Sequence, residues 1–177
     1  MKRPNAQRAI KQDTSDVPHL PGTVLRTNNP HVGVLVEQSE RRLVTTLAIP
    51  EGTVLFRIEG HETSTPTKYS LQVGEDLHLD QRGARDATDR VRRFYWRYMN
   101  HSCDPTTVIR DREVVARRDI GALEGVTFDY NLTEYDMAEP FACRCGSAQC
   151  VGTVRGARHL TPEQRARVEK DLPDYLR

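Results

Sequence analysis

Short runs of apolar and β-branched residues, separated by turn signals, recur along the chain from Gly22 onwards. Runs of this length, bounded by glycine, proline and charged residues, are typical of strands rather than helices. The pattern predicts strands at 32–36, 42–47, 54–58, 69–73, 77–79, 107–109, 114–116 and 126–130. We therefore predict a mainly β fold with few helices, in which the strands form several small sheets.

The two ends of the chain depart from this pattern. Residues 1–21 are polar, contain three prolines and lack apolar periodicity, which predicts a flexible N-terminal arm. Near the C-terminus, Thr161 is a suitable N-cap, Pro162 suits the first helical position and Gln164 completes a capping box. These residues predict a helix that runs from Pro162 to about Lys170.

Composition and charge restrict the class of protein. At 177 residues the chain suits a single domain and is long enough to bury a core. Its net charge of +1 gives no overall electrostatic preference for nucleic acid or membranes. The chain opens with polar and basic residues, and no apolar run approaches the length of a transmembrane helix. We expect an intracellular protein, in the nucleus or the cytoplasm, with no membrane partner and no evident direct binding of nucleic acid.

One segment, residues 82–97, contains six arginines and two aspartates. Two interpretations remain open for it. The segment is either a solvated loop and helix face, or a docking surface for an acidic or phosphorylated partner.

The cysteines are the first candidates for chemistry. Cys103 stands alone, whereas Cys143, Cys145 and Cys150 lie close together in sequence. Four thiolates complete one tetrahedral structural zinc site. A Cys-x-Cys pair is too tight for a comfortable disulfide loop, and disulfides need an oxidising compartment that no signal segment indicates here. The spacing therefore favours one zinc ion, with disulfides or unrelated buried thiols as the alternatives.

Three segments carry signatures in a fixed order: residues 97–103 read RYMNHSC, residues 127–131 read TFDYN, and residues 143–150 read CRCGSAQC. They resemble the RFINHSC, LTFDYN and post-SET CxCGxxxC elements of SET-domain protein lysine methyltransferases. Together they cover about residues 97–152, and a weaker similarity extends back to about residue 22. The resemblance implies a SET-domain fold of several small sheets with a threaded (pseudoknot) C-terminal segment.

The resemblance also implies an activity and a cofactor site. It implies transfer of methyl groups from S-adenosyl-L-methionine to a lysine of a protein substrate, either a histone tail or another protein. Asn100 and His101 match the pair that holds the cofactor through side-chain and backbone hydrogen bonds. Arg97 matches an arginine that supports the same pocket. Phe141, just before the cysteine trio, is a candidate wall of the adenine site or of the lysine channel, or a simple packing aromatic.

Gly33 matches the second glycine of a Gly-x-Gly element that lets the family's backbone approach the methionine part of the cofactor. His31 stands where the family has the first glycine, so this chain departs from the pattern there. The residues before the second signature, 123–127, read LEGVT where the family has Gly-Glu-Glu-Leu-Thr. The resemblance places Gly33 at the cofactor, with a changed neighbour at His31.

The catalytic residue implied by the resemblance is Tyr130, whose alternative role is core packing. Phe128, two residues earlier, matches a residue that lines the lysine channel, and Tyr98 is a second candidate for that channel. A phenylalanine at this position implies methylation beyond the monomethyl product, because it leaves room that a tyrosine hydroxyl would fill. Cys103 and the cysteine trio match the ligands of one structural zinc ion.

The resemblance divides the chain into a SET domain at 22–135, a post-SET zinc segment at 136–156 and a C-terminal helix and tail at 157–177. One alternative is a SET-like binding module that has lost activity. A second is a cysteine hydrolase built on His101 and Cys103. Two residues this close in sequence rarely form a catalytic dyad, which disfavours the hydrolase.

Overall fold

A computed structural model of the protein describes residues 22–38 and 40–177, so the predicted arm at 1–21 lies outside the described residues. The strands in the described part form three three-stranded sheets and two strand pairs. In chain order they are β1 (Thr23–Arg26), β2 (Val32–Glu37), β3 (Glu40–Thr45), β4 (Val54–Arg57), β5 (His61–Thr63), β6 (Leu71–Gly74), β7 (Leu77–Asp80), β8 (Asn100–His101), β9 (Thr107–Arg110), β10 (Glu113–Ala116), β11 (Thr127–Phe128), β12 (Phe141–Ala142) and β13 (Thr153–Val154). The prediction of a mainly β chain with several small sheets is confirmed.

The first sheet has the order β1-β2-β3 and is antiparallel. Its central strand β2 is buried from Val32 to Val36, which explains why its sequence is a continuous apolar run. Gly33 lies within this strand, and a Cβ there would come within 2.5 Å of the Val24 Cγ1 atom of β1. Close packing between strands therefore requires glycine at position 33.

The other two sheets have the orders β4-β10-β9 and β5-β7-β6. In the second of them, β6 and β7 form a hairpin that is joined by the turn containing Glu75 and Asp76. His78 of β7 lies between Thr63 of β5 and Gln72 of β6. This hairpin forms one wall of a cavity that Phe128 of β11 also borders.

The two α-helices are α1 (Ala87–Arg93) and α2 (Pro162–Val168). The capping box predicted at Thr161 and Gln164 is present, and the helix gives way to a 3-10 turn at Glu169. Helix α1 lies in the segment 82–97, for which a solvated loop and helix face was one of the two interpretations. Neither helix is long and apolar enough to cross a bilayer, as judged over the described residues.

Helix α1 occupies the arginine-rich segment. The Asp86 side chain accepts a hydrogen bond from the Asp89 N–H at 2.8 Å and so caps the helix. Asp89 is itself buried and forms ion pairs with Arg85 at 3.2 Å and with Arg93 at 3.1 Å. Arg97 is fully buried. Much of the positive charge in this segment is thus engaged within the protein.

The strand predicted at 126–130 is shorter in the structure. Thr127 and Phe128 form β11, and a 3-10 turn begins at Tyr130. The Asp129 side chain causes this change, because it accepts a hydrogen bond from the Asn131 N–H at 3.0 Å and caps the turn. Strand β11 pairs in parallel with β8, so that Asn100 lies opposite Thr127. This pairing brings the first two signature segments side by side.

The C-terminal tail packs against the turn that follows β11. A small cluster of buried side chains joins the two parts: Leu132, Ala157, Leu172 and Leu176. The Tyr175 hydroxyl lies within hydrogen-bond distance of the Gln72 and Thr133 carbonyls, at 3.0 and 3.2 Å. The tail therefore fixes the position of the chain just after Tyr130.

Candidate active site and metal centre

Tyr130 is hydrogen-bonded through both its side chain and its backbone. Its hydroxyl donates a hydrogen bond to the Met99 carbonyl at 2.8 Å, and its backbone N–H donates to His101 Nδ1 at 3.2 Å. Its ring lies 4.6 Å from the Phe128 ring and 6.1 Å from the Phe141 ring, measured between centroids. Burial raises the pKa of the Tyr130 hydroxyl above its ordinary value. The phenol is therefore protonated at neutral pH.

Phe128 and Tyr130 border a cavity with a volume of about 550 Å³. Its other walls are the 66–70 loop, the β6–β7 hairpin and the segment 134–139 that follows Tyr130. Five carboxylates and one lysine face this cavity: Glu75, Asp76, Glu134, Asp136, Glu139 and Lys68. We call it the acidic groove.

A smaller cavity of about 230 Å³ is lined by β8, β11 and residues 141–145. Asn100, His101 and Phe141 all border it, and we call it the Asn100 cavity. The Phe141 ring meets the His101 ring edge to face at 5.7 Å. Tyr130 contacts both rings and also lines the acidic groove. It therefore lies between the residues that form the two cavities.

The His101 side chain points into the protein and is only 3% exposed. Burial lowers its pKa to about 4, so the ring is neutral at neutral pH. Its Nδ1 accepts the Tyr130 N–H, so the proton lies on Nε2, which donates to Cys103 Sγ at 3.3 Å. His101 thus connects the tyrosine backbone to the cysteine cluster.

The four cysteines come together as the spacing predicted. Their sulfur atoms all lie within 4.8 Å of one another, and the Cys103 and Cys143 sulfurs are 3.8 Å apart. A tetrahedral zinc ion with Zn–S bonds of about 2.3 Å separates its sulfur ligands by about 3.8 Å, whereas a disulfide needs about 2.05 Å. The Val151 N–H also points at Cys103 Sγ, at 3.5 Å. The donor set and its spacing fit one zinc ion.

Three predicted residues do not border either cavity. Gly33 lies in the middle of the first sheet, where packing against β1 accounts for it. The Arg97 guanidinium lies over the rings of Tyr69 and Tyr98, at 4.6 and 5.1 Å from their centroids. Tyr98 is 5% exposed. The structure therefore places these side chains in the packing around the site rather than on the cavity walls.

Asp129 and Asn131 both organise the site, although the sequence pattern predicted no role for either. Asn131 donates from Nδ2 to Asp129 Oδ1 at 2.9 Å and accepts the Gly156 N–H at 3.0 Å. Burial raises the pKa of Asp129 to about 6. Gly156 has a φ of +104°, and a Cβ there would lie 2.6 Å from the Tyr135 carbonyl oxygen. These hydrogen bonds connect the C-terminal tail to the turn that contains Tyr130. In the sequence, the FDYN motif was the one feature that pointed to Asp129 and Asn131.

The cysteine hydrolase alternative depends on His101 and Cys103, whose side chains are adjacent in space. The expectation that their spacing would keep them apart is wrong. Even so, the histidine ring is almost fully buried, and the Cys103 sulfur is shared with the cysteine cluster. The geometry therefore disfavours a cysteine hydrolase, because Cys103 is better used as a metal ligand.

Comparisons with known proteins agree with this architecture. The chain is 32% identical over 127 residues to "Methyltransferase flvH" of Aspergillus flavus, which covers 69% of this chain and 64% of the relative. It is 27% identical over 139 residues to "Histone-lysine N-methyltransferase TRX1" of Oryza sativa subsp. japonica, covering 74% of this chain and 11% of the relative. Its fold is similar to a crystal structure of KRYPTONITE in complex with mCHH DNA, an H3(1-15) peptide and SAH, with a TM-score of 0.52 and 18% identity over 73% of this chain and 30% of that chain.

The SET domain family matches residues 40–131, which lie inside the predicted SET domain at 22–135. The chain belongs to the SET-domain family. It spans less than two thirds of the length of each curated relative named above.

Proposed function

We propose that this chain transfers methyl groups from S-adenosyl-L-methionine to a lysine side chain of a protein, with a histone among the candidate substrates. Membership of the SET-domain family supports the proposal, as do relatives named as methyltransferases. The observation that carries it is the position of Tyr130 between the Asn100 cavity and the acidic groove. That position suits a residue that meets a cofactor on one side and a lysine on the other.

Methyl transfer mainly requires the protein to position the lysine amine and the cofactor. The cofactor supplies a methyl group that its sulfonium already activates, so the chain needs no nucleophile of its own. The lysine amine must be neutral, although a free lysine has a pKa of about 10.4. It must also be aligned with the methyl group, and alignment supplies a large share of the rate. The apolar rings of Phe128 and Tyr130 favour the neutral amine by desolvation and hold it in line.

The hydroxyl of Tyr130 orients the amine rather than removing its proton. The Tyr130 hydroxyl donates its hydrogen bond to the Met99 carbonyl, so the lone pairs of the hydroxyl oxygen remain available as acceptors. The raised pKa of Tyr130 excludes a phenolate base at neutral pH. We infer that the tyrosine accepts a hydrogen bond from the incoming amine and so fixes its direction.

We propose that the Asn100 cavity holds the cofactor, with the Asn100 side chain and the His101 backbone as hydrogen-bonding groups and Phe141 as an apolar wall. Replacing Asn100 by alanine is expected to weaken binding of S-adenosyl-L-methionine by about tenfold or more, since one or two hydrogen bonds are lost. Isothermal titration calorimetry measures this directly. Asn28→Ala, which removes an exposed asparagine side chain outside this cavity, serves as the control. Unchanged affinity in Asn100→Ala would contradict the assignment of the cofactor to this cavity.

We further propose that Phe128 sets the number of methyl groups added. Its ring is 2% exposed, borders the acidic groove and lies beside the Tyr130 ring. A tyrosine at this position would place a hydroxyl where a methylated amine must turn to react again. Phe128→Tyr should therefore shift the product towards monomethyl-lysine, as measured by mass spectrometry of the modified peptide. A wild-type enzyme that stops at one methyl under excess cofactor would contradict this role for Phe128.

The second candidate is a SET-like module that binds but does not transfer. Purified protein incubated with labelled S-adenosyl-L-methionine and either purified histones or a cell lysate separates the two functions. Label in a protein band, dependent on Tyr130, supports the enzyme, and cofactor binding without transfer supports the module. The fold neighbour contains DNA, and the expectation that this chain makes no direct nucleic-acid contact stays a prediction.

A further inference from the structure

Two walls of the acidic groove come from distant parts of the chain. The hairpin wall is the β6–β7 hairpin, residues 71–80, and the second wall is the segment 134–139 that follows the turn containing Tyr130. Phe128 and Tyr130 border the same cavity as both walls. In the proposed function, a substrate segment that delivers a lysine to Tyr130 lies between these walls. The groups that join the walls therefore affect how that segment binds.

Gln72 of β6 connects the hairpin wall to the second wall. Its backbone N–H donates to Glu134 Oε1 at 3.2 Å, and its side-chain Oε1 accepts a hydrogen bond from the Tyr135 N–H at 2.9 Å. Its Nε2 atom donates to the carbonyls of Gly74 and Glu75, at 2.9 and 3.1 Å, within the hairpin. Gln72 is 6% exposed, and a buried amide that uses both its oxygen and its nitrogen is fixed in one orientation. The side chain thus sets the spacing of the two walls.

Tyr175 of the C-terminal tail adds a second connection between the walls. Its hydroxyl oxygen lies 3.0 Å from the Gln72 carbonyl oxygen and 3.2 Å from the Thr133 carbonyl oxygen, just before the second wall. A hydroxyl has one proton, so the two carbonyls share it. Burial raises the pKa of the Tyr175 hydroxyl above its ordinary value, which keeps it a donor at neutral pH. Tyr175 also borders the acidic groove itself.

The position of the tail does not depend on the Tyr175 hydroxyl. The buried Asp171 carboxylate forms ion pairs with Arg110 at 3.3 Å and with Arg117 at 3.0 Å, which attach the tail to the sheet β4-β10-β9. The tail also packs through its buried leucines against the turn that follows β11. Removal of the Tyr175 hydroxyl should therefore leave the tail in place and act on the two walls of the groove.

On the basis of the proposed function, we propose that Gln72 and Tyr175 are positioning residues for the protein substrate, which hold the two walls of the acidic groove at a fixed separation before the substrate arrives. A site that is already ordered binds more tightly, because the substrate does not have to supply the free energy of ordering it. Neither residue borders the Asn100 cavity, and the hydrogen bonds of Tyr130 involve neither of them. The pair thus controls binding of the protein substrate, with little effect on cofactor binding or on methyl transfer itself.

The test compares two variants of the full chain with the wild type. Tyr175→Phe removes one hydroxyl, and Gln72→Met removes the amide while keeping a side chain of similar length. Methyl transfer is measured with purified histones at increasing concentration, and binding of S-adenosyl-L-methionine is measured by calorimetry. Each variant should raise KM for histones by about fivefold, the order expected for loss of one net hydrogen bond. The values of kcat and of cofactor affinity should stay close to those of the wild type.

Hydrogen exchange followed by mass spectrometry gives a second measurement that does not require activity. In both variants, exchange should become faster in residues 70–76 and 133–138, and it should stay unchanged in residues 141–154, which do not border the groove. Tyr95→Phe is the matched control, because it also loses a hydroxyl, which is hydrogen-bonded to the Asn29 side chain away from both cavities. It should change neither the exchange of the two walls nor KM for histones.

The outcomes separate this inference from the proposed function. A rise in KM that is confined to the two groove variants supports the positioning role. An unchanged KM overturns it, and so do parallel losses of kcat and cofactor affinity, which would indicate general loosening of the fold. If the wild type methylates neither histones nor any lysate protein, the proposed function fails and hydrogen exchange decides alone. Faster exchange confined to the two walls then supports their connection through Gln72 and Tyr175, and unchanged exchange overturns it.

Discussion

Replacement of Tyr130 by phenylalanine should reduce methyl transfer by about 100-fold or more, the usual order for loss of one positioned polar group in the transition state. The variant keeps the ring, and with it the contacts to Phe128, Phe141 and His101. The backbone hydrogen bond to His101 is also unaffected. What is lost is the oxygen that we propose orients the amine. Cofactor affinity should therefore stay close to that of the wild type.

The measurement is single-turnover methylation at saturating cofactor, together with calorimetric binding of S-adenosyl-L-methionine. Loss of the hydroxyl leaves the buried Met99 carbonyl without this partner, which costs about 1–3 kcal/mol of stability. Tyr95→Phe is the matched control, because its hydroxyl forms a hydrogen bond with the Asn29 side chain away from both cavities, and its loss should lower stability without a comparable loss of rate. Unchanged turnover in Tyr130→Phe would falsify the proposed role.

The sequence predicted the elements whose signal is local. Alternating or continuous apolar runs indicated the strands, and the capping box at Thr161 and Gln164 indicated helix α2. The spacing of the cysteines predicted a cluster that the structure brings together, because ligand number and spacing are written directly in the chain. Tyr130 and Asn100 were found through short motifs, and the structure places both at cavities.

What could not be predicted depends on contacts between distant segments. Nothing in the run around Gly33 shows that Val24 of β1 will lie against it, so packing and cofactor approach explain the glycine equally well until the sheet is known. The turn at Tyr130 replaced the end of a predicted strand because the Asp129 side chain caps it. The bounds of helix α1 could not be predicted because its arginines mask the apolar period.

The acidic groove is the clearest case of a feature hidden from sequence. Its carboxylates come from the β6–β7 turn and from residues 134–139, which are far apart in the chain. The overall net charge of +1 gives no sign of them. A charge pattern formed by two segments that are distant in sequence can be recognised only when the folded structure is known.

Replacement of Cys145 by serine should release the bound zinc and abolish methyl transfer under conditions in which the wild type is active. Residues 143–152, between the two-residue strands β12 and β13, form no helix or strand, and none of them is fully buried. Zinc binding supplies folding free energy to such segments, on the order of 10 kcal/mol in zinc-finger peptides. With one ligand removed, that contribution falls and the segment should lose its fixed structure.

The effect should reach the active site by two routes. Phe141, Cys143 and Cys145 line the Asn100 cavity, so disorder of the segment removes a wall of the proposed cofactor site. The second route runs through Cys103, whose sulfur accepts a hydrogen bond from the His101 Nε2–H group, while His101 Nδ1 accepts a hydrogen bond from the Tyr130 N–H group. Loss of the metal changes the charge on this sulfur and loosens the histidine that positions the tyrosine backbone. Cofactor affinity and rate should therefore fall together, unlike in Tyr130→Phe.

Zinc content is measured by elemental analysis of the purified protein, and order in the segment by limited proteolysis. The wild type should contain one zinc ion per chain, and Cys145→Ser should contain little or none and be cleaved rapidly within residues 140–152. Gln149→Ala changes an exposed side chain in the same loop and should keep both metal and activity, because its backbone N–H makes the hydrogen bond to Ser147. A wild-type protein without metal, or a Cys145→Ser protein that retains full zinc and full cofactor affinity, would contradict the metal centre. A chelator added to the wild type should reproduce the proteolysis pattern of Cys145→Ser, which ties the order of the segment to the metal rather than to the cysteine side chain.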